Sequence, residues 1–234
     1  MGTTAIQRTD VEEELAATDA LGRSVTGRDV ACRAIDLVIA PILLVLLSPV
    51  LAAIAIAIKL DSPGTVLFSQ RRLGRAMTPF TVRKFRTMKP GVSQDIHREF
   101  VIGLIAGEEP ARVDGKPQFK LSADPRVTRL GRFLRRSSLD ELPQLWNVLR
   151  GDMSLVGPRP AIAYEVEHYP AAWLARFRVK PGVTGLWQVS GRSELTMADM
   201  VRLDIEYAER RTAWLNLSIL VRTIPVVLLA RGAS

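Results

Sequence analysis

The residues best suited to chemistry lie in Ser137-Ser138-Leu139-Asp140-Glu141-Leu142-Pro143, where two adjacent carboxylates follow an arginine-rich stretch. A carboxylate beside fixed cations stays ionised, and the cations draw phosphate toward it. Such a group can attack phosphorus as a nucleophile or hold a divalent metal. Further along, Gly157-Pro158-Arg159-Pro160 brackets one guanidinium with prolines. A stiffened backbone limits where Arg159 points, and a prepositioned guanidinium suits bidentate phosphate binding, although a plain connector would read the same way. Upstream, Phe80, Val82, Lys84 and Arg86 share one face of a predicted strand. Two cations on a half-buried face call for an anion nearby, unless the strand is a solvated edge.

The elements that must position these groups can be read next. Ser138 and Glu141 have capping-box spacing, but that choice makes Pro143 the fifth helical residue and loses a hydrogen bond. With Asp140 as the N-cap, Pro143 takes the third position, where the N–H has no helical partner anyway. The helix predicted this way covers 141–149, stops at Gly151 and buries Leu142, Leu145, Trp146 and Leu149. Both carboxylates then sit at its positive end. Just before it, 127–136 reads as a short helix in the densest basic cluster of the chain, with Arg126, Arg129, Arg132, Arg135 and Arg136. By itself a basic helix is a solvated or lipid-facing surface.

The strongest single feature is the uncharged run 37–58, LVIAPILLVLLSPVLAAIAIAI. One straight helix of this length would cross a bilayer core of ~30 Å. Ser48-Pro49 interrupts its middle, and proline both removes a donor and disfavours helical geometry before it. Arg28 and Arg33 precede the run, and Lys59, Arg71, Arg72 and Arg75 follow it, so neither end looks translocated. A hairpin that turns at Ser48-Pro49 and leaves on the side it entered satisfies both facts. A kinked spanning helix is the alternative. The Ser48 hydroxyl is a candidate partner for a backbone group freed at the break.

Composition bounds the rest. The 234 residues are 47% hydrophobic and 24% charged, which excludes a collagen-like, disulfide-scaffold or wholly disordered chain. Cys32 is the single cysteine, and His97 and His168 lie far apart, so no internal disulfide or Cys/His zinc set is expected. Net charge is +8, yet residues 1–22 carry Arg8 against five carboxylates, so the remaining body is more basic than the whole and suits a polyanionic partner. Residues 1–27 read as an acidic, mobile tail. Residues 61–64 form a turn, 65–70 and 80–87 two strands, and 100–105 a short helix before a loop. Residues 186–189 read as a strand and 198–210 as a helix with Asp204 and Tyr207 on one side. Residues 214–229, broken by Arg222 and Pro225, suit an interfacial helix with Trp214 at headgroup depth.

Taken in order, the apolar run with its central Ser-Pro, KFRTM at 84–88, DPRVTRLGRFLRRSSLDELPQLWNVLRGDMSLVGPRP at 124–160, PGVTGLWQVSGR at 181–192 and RLDIEYAERRTAWLNLSILVRTI at 202–224 form one pattern. The chain resembles the bacterial monotopic phosphoglycosyl transferases, or bacterial sugar transferases, over residues 28–230. The resemblance implies an α/β, mostly α, membrane enzyme. An N-terminal re-entrant helix-break-helix (28–60), a small β-hairpin and amphipathic interfacial helices would surround a compact catalytic body on the cytoplasmic face of a bacterial inner membrane (61–234).

The implied reaction moves a sugar 1-phosphate from a UDP-sugar to polyprenyl phosphate, with Mg2+, through a covalent phosphosugar-enzyme intermediate. Asp140 would be the nucleophile and the magnesium ligand, and Glu141 its dyad partner. Lys84, Arg86, Arg135 and the Pro158-Arg159-Pro160 loop would hold phosphates, and Gln188 and Arg192 fall in the further substrate-binding motif. Ser48 and Pro49 would be the re-entrant break. Self-association is left open. The competing class, a membrane-anchored lipid- or nucleic-acid-binding module, predicts aromatics interleaved with the basic residues, and the 126–136 cluster offers only Phe133. Nucleic acid is therefore not an expected partner. A silent scaffold is disfavoured by the intact Asp140-Glu141 pair.

Overall fold

The computed structural model describes residues 26–89, 95–107, 112–113, 116–117, 126–191 and 195–228. The acidic tail through residue 25, most of 108–125 and Arg192 lie outside the described residues. The apolar run folds as two helices, α1 (Gly27–Leu46) and α2 (Ser48–Asp61), bent by 58° around Leu47. Pro49 has no N–H to offer the carbonyl of Val45; the Ser48 hydroxyl donates to that oxygen instead, at 2.8 Å. Among the described residues no single helix is long and apolar enough to cross a membrane, while this bent pair passes by length and composition. Val38, Ile42, Val45 and Leu46 on α1, and Val50, Ile56 and Leu60 on α2, are exposed.

The first half of α1 belongs to the body. Cys32, Asp36 and Ala40 are buried at helical spacing. The Asp36 carboxylate accepts from the Ser154 hydroxyl at 3.0 Å and the Leu155 amide at 2.8 Å. At its start, Thr26 and Asp29 close a capping box, and Asp29 also meets Arg75 and Arg211. The first half of α1 thus contributes to the core before the apolar run leaves it.

After α2, the turn through Gly64 (φ +118°) leads into the antiparallel hairpin β1 (Leu67–Leu73) and β2 (Pro79–Phe85), in which Phe68 pairs with Lys84. The helix expected around 100–105 is α3 (Asp95–Ile105), followed by the short pair β3 (Arg112–Val113) and β4 (Lys116–Pro117). Next come α4 (Arg129–Arg136), a 3-10 turn at Leu139–Glu141, α5 (Gln144–Arg150) and β5 (Ser154–Val156). The chain continues through α6 (Ala163–Val166), a 3-10 segment at Ala171–Arg178 and β6 (Gly182–Thr184). It ends in α7 (Leu186–Ser190), α8 (Met197–Arg210) and α9 (Ala213–Leu228). The described fold is mostly helical with small two-stranded sheets.

Three expectations need correction here. The strand expected at 186–189 is α7, and the strand lies earlier, where β6 runs parallel to β5. Its place is fixed by close backbone approach: a Cβ on Gly182 would stand 2.0 Å from the Gly157 nitrogen. The helix after the carboxylate pair begins at Gln144, not at residue 141. Its buried residues are Gln144, Leu145, Asn147 and Val148, and Trp146 is 48% exposed. The stripe turned because Asn147, polar by type, is the residue that bonds to β2.

The main core joins α1, β2, α5, β5, α8 and α9 through Ala40, Val82, Val148, Leu155, Tyr207 and Ile219. A second cluster joins α2, β2 and α4 through Ile54, Ile58, Phe85 and Leu134, with Leu139 packed against it. Asp204 and Tyr207 are structural: the Arg176 guanidinium reaches Asp204 at 2.5 Å, and the Tyr207 hydroxyl lies 2.9 Å from the Val156 carbonyl and 2.8 Å from Asn216 Oδ1. Burial pushes the Asp204 carboxyl up to about 6, against the pull of Arg176.

Candidate active site

Asp140 and Glu141 occupy the 3-10 turn between α4 and α5. The turn is launched by Ser138, a non-glycine residue at φ +57°, a conformation that costs about 1 kcal/mol or more and is held by its surroundings. Asp140 is thus not an N-cap as expected; it lies inside a separate tight turn. Next to it, Leu139 is packed on the cluster that contains Ile54 and Ile58 of α2. Asp140 is half-buried on the turn that Leu139 ties to this cluster.

Each neighbour of the turn is fixed independently. The Asn147 side chain donates to the Thr81 carbonyl at 2.7 Å and accepts from the Arg83 amide at 3.2 Å, which sews α5 to β2. Lys84, next along β2, reaches Glu141 Oε1 with its Nζ at 2.6 Å. Both side chains stay about a third exposed, at 28% and 33%. The anion that the Lys84 face called for is Glu141. Beyond β2, the Thr87 carbonyl accepts from the Thr128 amide at 3.1 Å, and a Cβ on Gly131 would stand 2.1 Å from that same oxygen. Only glycine lets α4 lie this close. The contact brings Arg135 Nε within 3.0 Å of the Thr87 hydroxyl, on the side of α4 facing this strand.

The Gly157–Pro160 loop is held at every carbonyl after the glycine. Pro158 O accepts from the Gly182 amide at 2.9 Å, Arg159 O from Arg176 at 3.0 Å, and Pro160 O from Arg72 at 2.9 Å. Pro158 and Pro160 are buried while the Arg159 side chain is exposed. Burial, with Arg159 nearby, pushes the Arg72 guanidinium down to about 10, and Glu141 acts on it in the opposite direction. Glu165 and Tyr164 oppose the shift ahead of Glu141.

Two expected residues stand elsewhere. Arg86 does not face an anion site: its guanidinium donates to the Ser62 carbonyl at 2.6 Å and the Pro63 carbonyl at 2.5 Å, capping the end of α2. Five fixed donors suit several carbonyls at once, which is why this cation is buried. Gln188 donates to the Val183 carbonyl at 3.3 Å and sits against Gly185, behind β6. Arg192 lies outside the described residues. Arg72 and Asn147 are the residues that sequence reasoning missed. The sign of Arg72 was its alternation with Gln70 on β1, to whose amide oxygen it donates at 2.7 Å. Asn147 could have been found as an amide on an otherwise apolar helix face.

A sequence profile of the bacterial sugar transferases matches residues 27–230. The chain belongs to the bacterial sugar transferase family. Its matched region opens where α1 opens, so the family pattern includes the helix pair as well as the dyad. The UDP-galactose-lipid carrier transferase of Erwinia amylovora is 42% identical over 86% of this chain, which spans 41% of that protein's length. The exopolysaccharide production protein ExoY of Rhizobium meliloti is 40% identical over 87% of this chain and 88% of its own length. The UDP-glucose:undecaprenyl-phosphate glucose-1-phosphate transferase of Caulobacter vibrioides is 40% identical over 88% of this chain and 72% of its own.

Among the described residues no group of three or more His, Cys, Asp or Glu side chains stands together. Magnesium needs no such cage, since it is commonly held by one or two carboxylates with substrate phosphates and water. The Asp140-Glu141 pair fits that donor set.

Proposed function

We propose that the chain transfers a sugar 1-phosphate from a UDP-sugar to a polyprenyl phosphate, releasing UMP and forming a polyprenyl-diphosphate sugar. The observation that carries this reading is the turn that holds Asp140: its neighbour Leu139 packs on the cluster that includes Ile54 and Ile58 of the apolar helix pair, and its neighbour Glu141 is paired with Lys84, so in this reading a lipid acceptor and a soluble donor meet at this turn. The names of two relatives, a UDP-galactose-lipid carrier transferase and a UDP-glucose:undecaprenyl-phosphate transferase, support the same substrates.

In this reading an Asp140 oxygen attacks the sugar-bearing phosphorus. The phosphoanhydride bond breaks and UMP departs with its electron pair, leaving an aspartyl phosphosugar. An oxygen of the polyprenyl phosphate then attacks the same phosphorus, and the Asp140 carboxylate is restored. Glu141, held by Lys84, stands beside the reacting carboxylate to take the proton when the acceptor arrives as its monoanion. Lys84, Arg135 and Arg159 place positive charge around the diphosphate. Magnesium held by Asp140 would neutralise diphosphate charge as the leaving group forms.

The helix pair enters and leaves one leaflet in this reading, with its body on the cytoplasmic face of the inner membrane. The 58° bend, the Ser48 bond that satisfies Val45 and the cations at both ends support it.

The decisive test is Asp140→Asn in the full chain. UMP release from UDP-galactose or UDP-glucose with polyprenyl phosphate should vanish, and radiolabel from the sugar should no longer attach to the protein. Label retained elsewhere on the chain, with activity intact, would remove the nucleophile. For topology, cysteines introduced at both flanks of 37–58 should react only from the cytoplasmic side; reaction of one flank from outside would establish a span.

A further inference from the structure

Helix α4 sorts its arginines onto two faces. Arg135 turns inward to Thr87, whereas Arg129, Arg132 and Arg136 face outward with Phe133. These four outward positions fall on one helical stripe. Beside Arg129 and Arg132 opens a cleft of about 330 Å³, which they share with Lys89, with Thr128 at the start of α4, and with Asp61 and Ser62 at the end of α2. The dyad, Lys84, Arg135 and Arg159 do not line it. Three cations therefore face one carboxylate, and none of the three cations makes an ion pair within the described residues. Three like charges with a single carboxylate among them in the described cleft repel one another, and an arriving anion relieves that cost.

We propose that this cleft binds the phosphate of an anionic phospholipid headgroup, separate from the lipid that is the acceptor, and fixes the depth at which α2 leaves the bilayer. This inference rests on the membrane placement of α1 and α2 given above. The position of the cleft selects a lipid over a soluble anion. The last turn of α2 carries Lys59, the first charge after the apolar run, and exposes Leu60 at 82%, and Asp61 follows on the cleft wall. An apolar helix leaves hydrocarbon where its exposed apolar side chains give way to charge, which is also where lipid phosphates lie. Phe133 is 59% exposed next to Arg132 and offers a ring to the same layer. A soluble phosphate would have no use for Leu60 or Phe133; the acyl chains attached to a headgroup would cover both.

The test uses the full chain in flotation with vesicles of phosphatidylcholine alone or mixed with phosphatidylglycerol, at fixed ionic strength. The parent chain floats with both and prefers the anionic vesicles. R129Q/R132Q keeps binding to neutral vesicles but loses about tenfold or more of the preference, as expected for two cations at an anionic surface. R202Q/R210Q, with the same net charge change on the exposed face of α8, keeps the preference. Exchange of chloride for inorganic phosphate also leaves it in place. Equal losses in both double variants, or none in R129Q/R132Q, overturn the cleft as the site. Loss of the preference in phosphate assigns the cleft to a soluble anion and overturns the lipid. A parent chain that floats with neither vesicle overturns the membrane placement and this inference together.

Discussion

Lys84 stands near the end of β2 and Arg86 just past it, on the face that sequence alone made equivalent, and they meet opposite surroundings. Arg86 is 8% exposed and ends on the carbonyls of Ser62 and Pro63, whereas Lys84 stays half-open and meets the Glu141 carboxylate. The pattern extends further. Arg33 donates to the Val148 and Leu149 carbonyls, Arg72 to Pro160 and Arg176 to Arg159, so each of these guanidinia holds backbone in place. Among the half-open or exposed cations, Lys84 meets Glu141, Arg135 reaches the Thr87 hydroxyl and Arg159 stands on the proline-bracketed loop. Buried carbonyls need donors, and a rigid fork of five N–H groups meets several at once. A half-open cation keeps charge available to a ligand. Partner, more than charge or burial, separates the two jobs: Arg33 is as exposed as Lys84, at 28%, yet ends on carbonyls.

The comparison can be broken at several points. The largest effect is expected from Arg176→Met, which leaves Asp204 buried without its partner and should cost about 3–5 kcal/mol in denaturant unfolding. An unchanged midpoint would show that Asp204 is held by other means. Lys84→Met should lower UMP release about a hundredfold, in line with loss of one preorganised charge, and leave the melting temperature nearly unchanged. Arg86→Met should do the reverse. Unpairing the end of α2 should cost about 1–3 kcal/mol, while turnover per folded molecule stays at the parent level. A turnover defect as deep as that of Lys84→Met would return Arg86 to the phosphate site.

The smallest effect concerns pH. Burial alone would raise the Asp29 carboxyl, but the Thr26 hydroxyl and amide and the Arg211 guanidinium outweigh it and hold it at about 2. A carboxyl depressed on folding contributes stability above its unfolded value of about 4, and that contribution fades as pH falls from there to about 2. At this partly exposed pair, solvent screening leaves about 1 kcal/mol, so the acid limb of a stability-pH curve should flatten by that amount in Asp29→Asn. No change in the limb would mean that Asp29 contributes nothing through its charge.

Much of the site was legible before the fold. Asp140, Glu141 and Lys84 were marked by residue type and spacing and Arg135 by the resemblance, and the structure gathers Lys84 and Glu141 at 2.6 Å. The break at Ser48-Pro49 was equally plain, because proline's missing donor is a local covalent fact that needs no partner to show itself. Arg86 was misplaced because its two-residue period with Lys84 says which face it takes but not what covers that face. Trp146 was misplaced because a helical stripe of apolar residues looks like core until a neighbour decides otherwise, and here β2 selected Asn147.

The sequence by itself determined the chemistry available to this chain: a carboxylate pair, a basic surround, a broken apolar run and a proline-stiffened arginine. Those properties live in single residues or in neighbours along the backbone, so covalent order is enough to show them. The tertiary structure alone decided which cations are consumed in holding carbonyls and which are not. That choice depends on desolvation and on donor geometry between segments far apart in the chain, such as Arg72 with Pro160 and Arg33 with Val148, and no local spacing encodes it.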